Sequence, residues 1–404
     1  MAENEENLGK LIAARHERAR LLGFSSHAEC RISQQMASTP KTVMDFLADA
    51  SARLEPGLVK DVAALVARKE KDVGGGGKEG AAGLKSADVS FYSRMLKEEL
   101  LQVDEQMVRE YFPLEHCIPA VQQLYEEMLG LKFVKLDEDA AGAWHDTVEG
   151  FAVLDKASGA TIGHFYLDLF SRDGKFGHQM VIPLSPSFVR QQQHQQPNDG
   201  EEAEQVEGVE EAGGGRRINP VCAIIGNMTK PTATQPSLLR FAEVETFFHE
   251  FGHVMHCVLT KVDYSRLAWT WPMMPWPGGV EQDFLEVPSM MLQNLVYRPD
   301  IMARLSRHYE TSEALPEDVI GRIGQAKHFM AAYSWRRFIA MATFDMVVHS
   351  SLPPYSHGGR SDLTARQLWG LLLEEKTLCE QPSSEGGAFA PASWYHLVIG
   401  YDAG

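Results

Sequence analysis

TFFHEFGHVMHC, Thr246–Cys257, places three histidines within eight residues, with a glutamate directly after the first. No proline occurs between Ala242 and Leu259, and Gly252 is the one glycine there. Val244, Phe247, Phe248, Phe251, Val254, Met255 and Val258 make the segment strongly apolar, which predicts a buried helix. On such a helix His249 and His253 stand one turn apart on one face. Both imidazoles then reach one divalent ion, at about 2.1 Å for zinc. Glu250 lies beside that face, where its carboxylate can take a proton from water at the metal, the HExxH arrangement that zinc peptidases use. The plainer reading is a chance match on an ordinary helix. Against it, two histidines and a glutamate are costly to bury without a partner, and a metal supplies one. His256 shares the face, but seven residues rise about 10 Å along a helix. One small ion does not bridge that span easily, so His256 is expected to hydrogen-bond or to line the substrate's path.

The third ligand is expected from another element. EQDFLEVPSMMLQNL (281–295) offers Glu281, Asp283 and Glu286 among apolar residues at helical spacing, and spacing alone does not choose among them.

Around this centre the chain has 404 residues, 44% of them hydrophobic, enough for one large domain or two to three ordinary ones. A net charge of −17 speaks against a nucleic-acid partner. Five scattered cysteines with no CxxC spacing argue against a disulfide scaffold and for a reducing compartment. MAENEENLGK resembles neither a secretory signal nor a transit peptide, and no run of about 18 apolar residues predicts a membrane span. The default expectation is a soluble cytoplasmic protein.

Leu8, Leu11, Ile12 and Ala19 follow helical spacing, as do Val43, Phe46, Leu47, Leu54, Val59, Val62 and Leu65. DVGGGGKEGAAG (72–83) reads as a flexible loop, and helical character returns over 90–129. GFAVLD (150–155) and ATIGHFYLDLF (160–170), joined through Lys156–Gly159, predict a hairpin. Residues 189–217 carry a glutamine run, then seven acidic residues, then a run of three glycines, and are expected to be a disordered acidic insertion. VCAIIG (221–226) reads as a buried or edge strand, and helices dominate from Ala242 onward.

HEFGHVMH followed by DFLEVPS resembles the thimet oligopeptidase and neurolysin family of zinc metallopeptidases. RARLLGF (18–24), GHFYLDLFSRDGKFGH (163–178), NMTKPTATQPSLL (227–239) and HLVIGYDA (396–403) carry the same resemblance over nearly the whole chain outside the insertions. It implies Glu286 as third ligand beside His249 and His253, one zinc ion per chain, and Glu250 as general base. It places His396 near the oxyanion, with Tyr401 in the same glycine-flanked loop. It implies a mainly α fold with a small β-sheet, a zincin-like catalytic region with a deep channel. The chain then divides into a helical region, 1–149, and a catalytic region, 150–404, the latter holding the acidic insertion and an extra loop, LAWTWPMMPWPGG (267–279).

The implied activity is zinc-dependent endoproteolysis of short unstructured peptides by a monomer, with water activated by Glu250 attacking the scissile carbonyl. VCAIIGN is then either the edge strand that pairs with substrate or a plain core strand. Ligating imidazoles usually donate their second N–H to a carboxylate or carbonyl, and Glu245 and Asp283 are the candidates. The chain departs from the family pattern by starting within it and by stopping at Gly404, before a tyrosine-rich stretch, which suggests truncation at both ends. Met290 stands where relatives commonly have glutamine, and Gln293 where they have glutamate, removing a charge behind the ligands. The alternative reading is therefore a catalytically weak or inactive zinc- and peptide-binding fragment. Such a fragment leaves cytoplasm and mitochondrion both open.

Overall fold

The computed structural model describes residues 2–73, 83–101, 104–137, 141–175, 177–191, 209–210, 215–269, 279–381, 389–394, 396–400 and 402–403. It is mainly helical with a small mixed sheet, as the sequence predicts. The chain forms two compact units, one combining residues 1–102 with 325–404 and the other comprising 103–324. These run differently from the regions 1–149 and 150–404, because position 150 falls inside the second unit, in the strand Glu149–Asp155. None of the described helices is long and apolar enough to cross a membrane.

The unit of residues 103–324 is built on a five-stranded sheet. Its strands are β1 (Leu131–Lys135), β2 (Glu149–Asp155), β3 (Thr161–Phe170), β4 (Met180–Ser185) and, after three short strands, β8 (Val221–Met228). Their order is β1-β2-β3-β8-β4, with β3 and β8 parallel and all other neighbours antiparallel. The hairpin expected at 150–170 is β2–β3. Phe151 pairs with Phe165 and their rings stack at 5.0 Å. Asp155 Oδ1 accepts the Ser158 N–H at 2.7 Å, and Gly159 supplies the left-handed residue of the turn, with φ +72°.

VCAIIG is a strand, but β8 is an interior one, flanked by β3 and β4. The edges are β1 and β4, so of the two readings of VCAIIGN, edge strand or plain core strand, the interior one holds. Both faces of β8 are covered. Cys222, Ala223, Ile224 and Met228 are buried, a near-continuous apolar run typical of a central strand.

The GHFYLDLFSRDGKFGH stretch has a physical centre in Asp168. This buried carboxylate accepts hydrogen bonds from Arg172, from Lys175 Nζ at 2.8 Å and from Trp144 Nε1 at 2.9 Å. Burial disfavours its charge, but the bonds from Arg172, Lys175 and Trp144 outweigh burial and hold the carboxyl well below its ordinary value. The turn after β3 is thereby tied to the end of its own strand.

The acidic insertion is ordered at its margins, a correction to its reading as disordered throughout. β5 (Phe188–Gln191) pairs with β7 (Gly215–Ile218), and β7 pairs with β6 (Val209–Glu210). Buried Arg217 anchors this small sheet, donating to Val262 O at 2.7 Å and Asp263 Oδ1 at 2.8 Å. Residues 192–208 and 211–214 lie outside the described residues, as does most of the loop read at 72–83.

The other unit packs helices Ala2–Leu21, Pro40–Val73, Ala331–Ser350 and Ala365–Thr377. Leu8 and Ile12 join Phe344, Val348 and Trp369 in its core, and Ala19 is buried, as the helical spacing predicts. In Pro40–Val73 the buried stripe runs through Leu47, Ser51, Leu58 and Leu65. Phe46 and Val59, counted among the apolar positions in sequence, each sit one residue off that stripe and are exposed.

Candidate metal centre

The histidine helix spans Phe241–Val258. Glu243 Oε2 accepts the Arg240 N–H at 2.8 Å at its N-terminus. One face lies on the sheet. The Phe251 ring meets Phe165 at 5.4 Å and Phe133 at 5.6 Å, and the Tyr125 hydroxyl donates to Phe248 O at 2.9 Å. Gly163 on β3 lets the helix approach, since a Cβ there would lie 3.0 Å from Val258 Cβ.

The opposite face carries His249, Gly252, His253 and His256, and meets the acid helix, Gln282–Gln293. The crossing is at Gly252, where an added Cβ would lie 2.8 Å from Ser289 Cα. No other residue type allows the two backbones this close without displacement. The approach brings Glu286 over the two imidazoles. Its Oε2 lies 3.2 Å from His249 Nε2 and 3.1 Å from His253 Nε2. Ser289 Oγ donates to the same oxygen at 3.1 Å.

His249, His253 and Glu286 offer donor atoms that all lie within 4.8 Å of one another. Three donors held about 2.1 Å from one ion at tetrahedral angles would stand about 3.4 Å apart. The two Nε2–Oε2 separations of 3.2 and 3.1 Å fit that spacing. The electrostatics agree. Burial opposes charge on both His249 and Glu286, yet Glu286, Glu250 and Gln293 together hold the His249 pKa up, and the two histidines together hold the Glu286 carboxyl well below its ordinary value. The gap between these side chains favours a positive charge.

Of the three acidic residues that spacing left open, Glu286 is the one that faces the imidazoles. His256 stands outside the group, its ring 6.3 Å from Trp269 and 6.4 Å from Phe284. Burial, with the His253 charge adding to it, pushes its pKa down. Glu250 is buried beside the group, and the Val181 backbone of edge strand β4 hydrogen-bonds its carboxylate. Burial, aided by the Glu286 charge and opposed by that of His249, raises its pKa to about 7.

A match to the family model of peptidase family M3 extends over residues 1–404. The chain belongs to peptidase family M3. The resemblance read from HEFGHVMH and DFLEVPS is therefore correct at the level of family. The chain is 34% identical over 407 residues to a thimet-like oligopeptidase of Dictyostelium discoideum, covering 99% of this chain and 54% of that protein. Saccharolysin of Saccharomyces cerevisiae is 33% identical over 352 residues, 86% of this chain and 45% of its own length. Oligopeptidase A of Escherichia coli is 28% identical over 402 residues, 100% of this chain and 52% of its own. This M3 chain thus spans about half the length of the curated relatives it matches. Family M3 peptidases are zinc-dependent in general.

His396 begins the short helix His396–Ile399 in the unit of residues 1–102 and 325–404, where its side chain is exposed. Tyr401 lies outside the described residues. Glu245 does not touch His249 directly. The His249 Nδ1 partner is Gln293 Oε1 at 2.9 Å, and Gln293 Nε2 donates in turn to Glu245 Oε1 at 2.8 Å. The charge that glutamine removes from position 293 is thus present one residue further out. Asp283, the other candidate, sits in the first turn of the acid helix.

Trp269 had no assigned role in sequence. It is buried with its ring 6.1 Å from His253. Its carbonyl accepts the Val280 N–H at 3.1 Å, and Gly279, with φ +83°, passes so close that an added Cβ would lie 1.8 Å from that carbonyl oxygen. The three tryptophans of the extra loop were a signal of burial, but nothing local tied this one to the histidines. Residues 270–278 of that loop lie outside the described residues.

Proposed function

We propose that this chain carries the catalytic core of a zinc metalloendopeptidase that hydrolyses short, unstructured peptides. The convergence of His249 and His253 on one oxygen of Glu286, at 3.2 and 3.1 Å, supports this reading above all else. Two neutral imidazoles and a carboxylate are the donor set of catalytic zinc sites, which keep a position open for water or substrate. Zinc held there would supply Lewis-acid chemistry, acidifying water and polarising the scissile carbonyl.

The chain's own residues supply the rest. Glu250 takes the proton of the attacking water and delivers it to the leaving nitrogen. Strand β4 ends the sheet beside Glu250, and an extended peptide can add to its outer edge with its backbone paired. His396 and Tyr401 enter through the HLVIGYDA motif, as donors to the oxyanion of the tetrahedral intermediate.

Purified chain at one equivalent of zinc should cleave a quenched fluorescent peptide, and a chelator should abolish the cleavage. Glu250→Gln should keep the zinc and lower kcat/KM by about 10²–10⁴-fold. Stoichiometric zinc without chelator-sensitive cleavage would overturn catalysis and leave a peptide-binding fragment.

A further inference from the structure

Gln293 stands between a histidine and a carboxylate, and the two ends of its amide are not equivalent. Which end faces which partner follows from the network. A carboxylate accepts, so the NH₂ end, 2.8 Å from Glu245 Oε1, must face Glu245. That leaves the carbonyl end facing His249 Nδ1 at 2.9 Å. A carbonyl also only accepts, so Nδ1 must carry the proton. With Nδ1 protonated, the neutral ring presents a bare Nε2 lone pair, and Nε2 is the atom that lies 3.2 Å from Glu286 Oε2.

The outer end of the chain is fixed as well. The Tyr297 hydroxyl hydrogen-bonds Glu245. Burial, that bond and the Glu245 charge all hold the phenol in its protonated, donating form. Two donors, Tyr297 and Gln293, therefore converge on Glu245. Residues 245 and 249 are one turn apart on the histidine helix, while 293 and 297 lie one turn apart beyond the crossing at Gly252.

We propose that Gln293, oriented by Glu245, is a positioning residue that locks His249 in the Nδ1–H tautomer and so presents its Nε2 to the metal. The pair is an amide relay. It transmits the direction of a hydrogen bond from carboxylate to imidazole without putting a negative charge against the ring. The inference rests on the reading of His249 as a zinc ligand.

The test is zinc affinity of the full chain, by competition with a chromophoric chelator, for wild type and four variants. Glu245→Gln still offers an acceptor to Gln293 and should bind zinc within a few-fold of wild type. Glu245→Lys can only donate. It turns the amide around, sets an NH₂ against Nδ1 and moves the proton to Nε2, and should weaken zinc binding about 10- to 100-fold. Adding Gln293→Glu to Glu245→Lys restores an acceptor to Nδ1–H, supported by the new lysine, and should return the affinity to near wild type. Undiminished affinity in Glu245→Lys, or no recovery in the double variant, overturns the relay. His249→Ala separates the two levels. If it abolishes tight binding while Glu245→Lys does not, the relay alone falls. If it leaves affinity unchanged, the zinc reading falls and the relay with it.

Discussion

Two clusters in this chain have the same composition, two histidines and one carboxylate with donor atoms within 4.8 Å: His249, His253 and Glu286 in one unit, and His27, His349 and Asp402 in the other. The difference between them is Arg15. In the second cluster Asp402 Oδ1 accepts from Arg15 Nη2 at 2.8 Å, and Oδ2 accepts from His27 Nε2. Arg15 Nη1 faces His349 Nε2 at 3.2 Å and also donates to Leu397 O. His349 Nδ1 goes to Asp345 Oδ1 at 2.7 Å, and Asp345 Oδ2 accepts the Ala403 N–H at 2.6 Å. The chain supplies its own cation there, and the result pins Leu397, Asp402 and Ala403 to the helices Ala2–Leu21 and Ala331–Ser350. At the first cluster the described ion pairs of Glu286 are with the two histidines. A ligand inventory therefore does not make a metal site. What matters is whether the lone pairs converge on a place where the protein has put no positive charge of its own.

The sharpest way to break this comparison is metal stoichiometry. His253→Ala should lower zinc affinity by more than the about 10- to 100-fold that losing an outer partner costs. Asp402→Ala should leave one tightly bound zinc per chain. Loss of zinc in Asp402→Ala would end the distinction. Stability should reverse the ranking. Asp402→Ala strands the half-buried Arg15 and should cost about 1–3 kcal/mol in urea denaturation of the metal-free chain at pH 7. Glu286→Ala, at a side chain 39% exposed, should cost about 1 kcal/mol or less.

The helix crossings extend the contrast. A Cβ at Gly252 would lie 2.8 Å from Ser289 Cα, and one at Gly57 would lie 2.8 Å from Ala332 Cβ. Either glycine-to-alanine change should cost about 1–3 kcal/mol by overpacking. Only Gly252→Ala should also weaken zinc binding, because it pushes Glu286 away from the imidazoles.

The smallest effect is a pH slope. Burial lowers the pKa of His27 from 6.5, outweighing the hydrogen bond and charge of Asp402. On acidification the unfolded chain takes that proton first, so the contribution of His27 is full above pH 6.5 and is lost as pH falls toward the folded value. His27→Gln should flatten the slope of stability below pH 6.5, by up to about 1.4 kcal/mol per pH unit. An unchanged slope would mean that His27 takes its proton as easily folded as unfolded.

The same contrast explains what could be read from sequence. The metal cluster's histidines are four residues apart on one helix, so a local pattern betrays them. The hairpin of β2 and β3 is equally local, with Lys156–Gly159 between its strands. Choosing Glu286 from Glu281, Asp283 and Glu286 needed the family resemblance, because the choice depends on how two helices cross. The Asp402 cluster draws on positions 15, 27, 345, 349 and 402, and no window of sequence contains it. The sheet edge was hidden for a related reason. The parallel pairing of β3 with β8 inserts β8 between strands that precede it in the chain, and its apolar run suits an interior as well as a flank. Gln293 looked like a lost charge in sequence because the amide's second partner, Glu245, lies 48 residues away.

The bond between Val280 and Trp269 bears on the long path from His253 to Glu286. It works as a drawstring: wherever the nine intervening residues outside this description run, their two ends are knotted together before the acid helix begins. Evolution could lengthen or trim that excursion without altering the register in which Glu286 arrives.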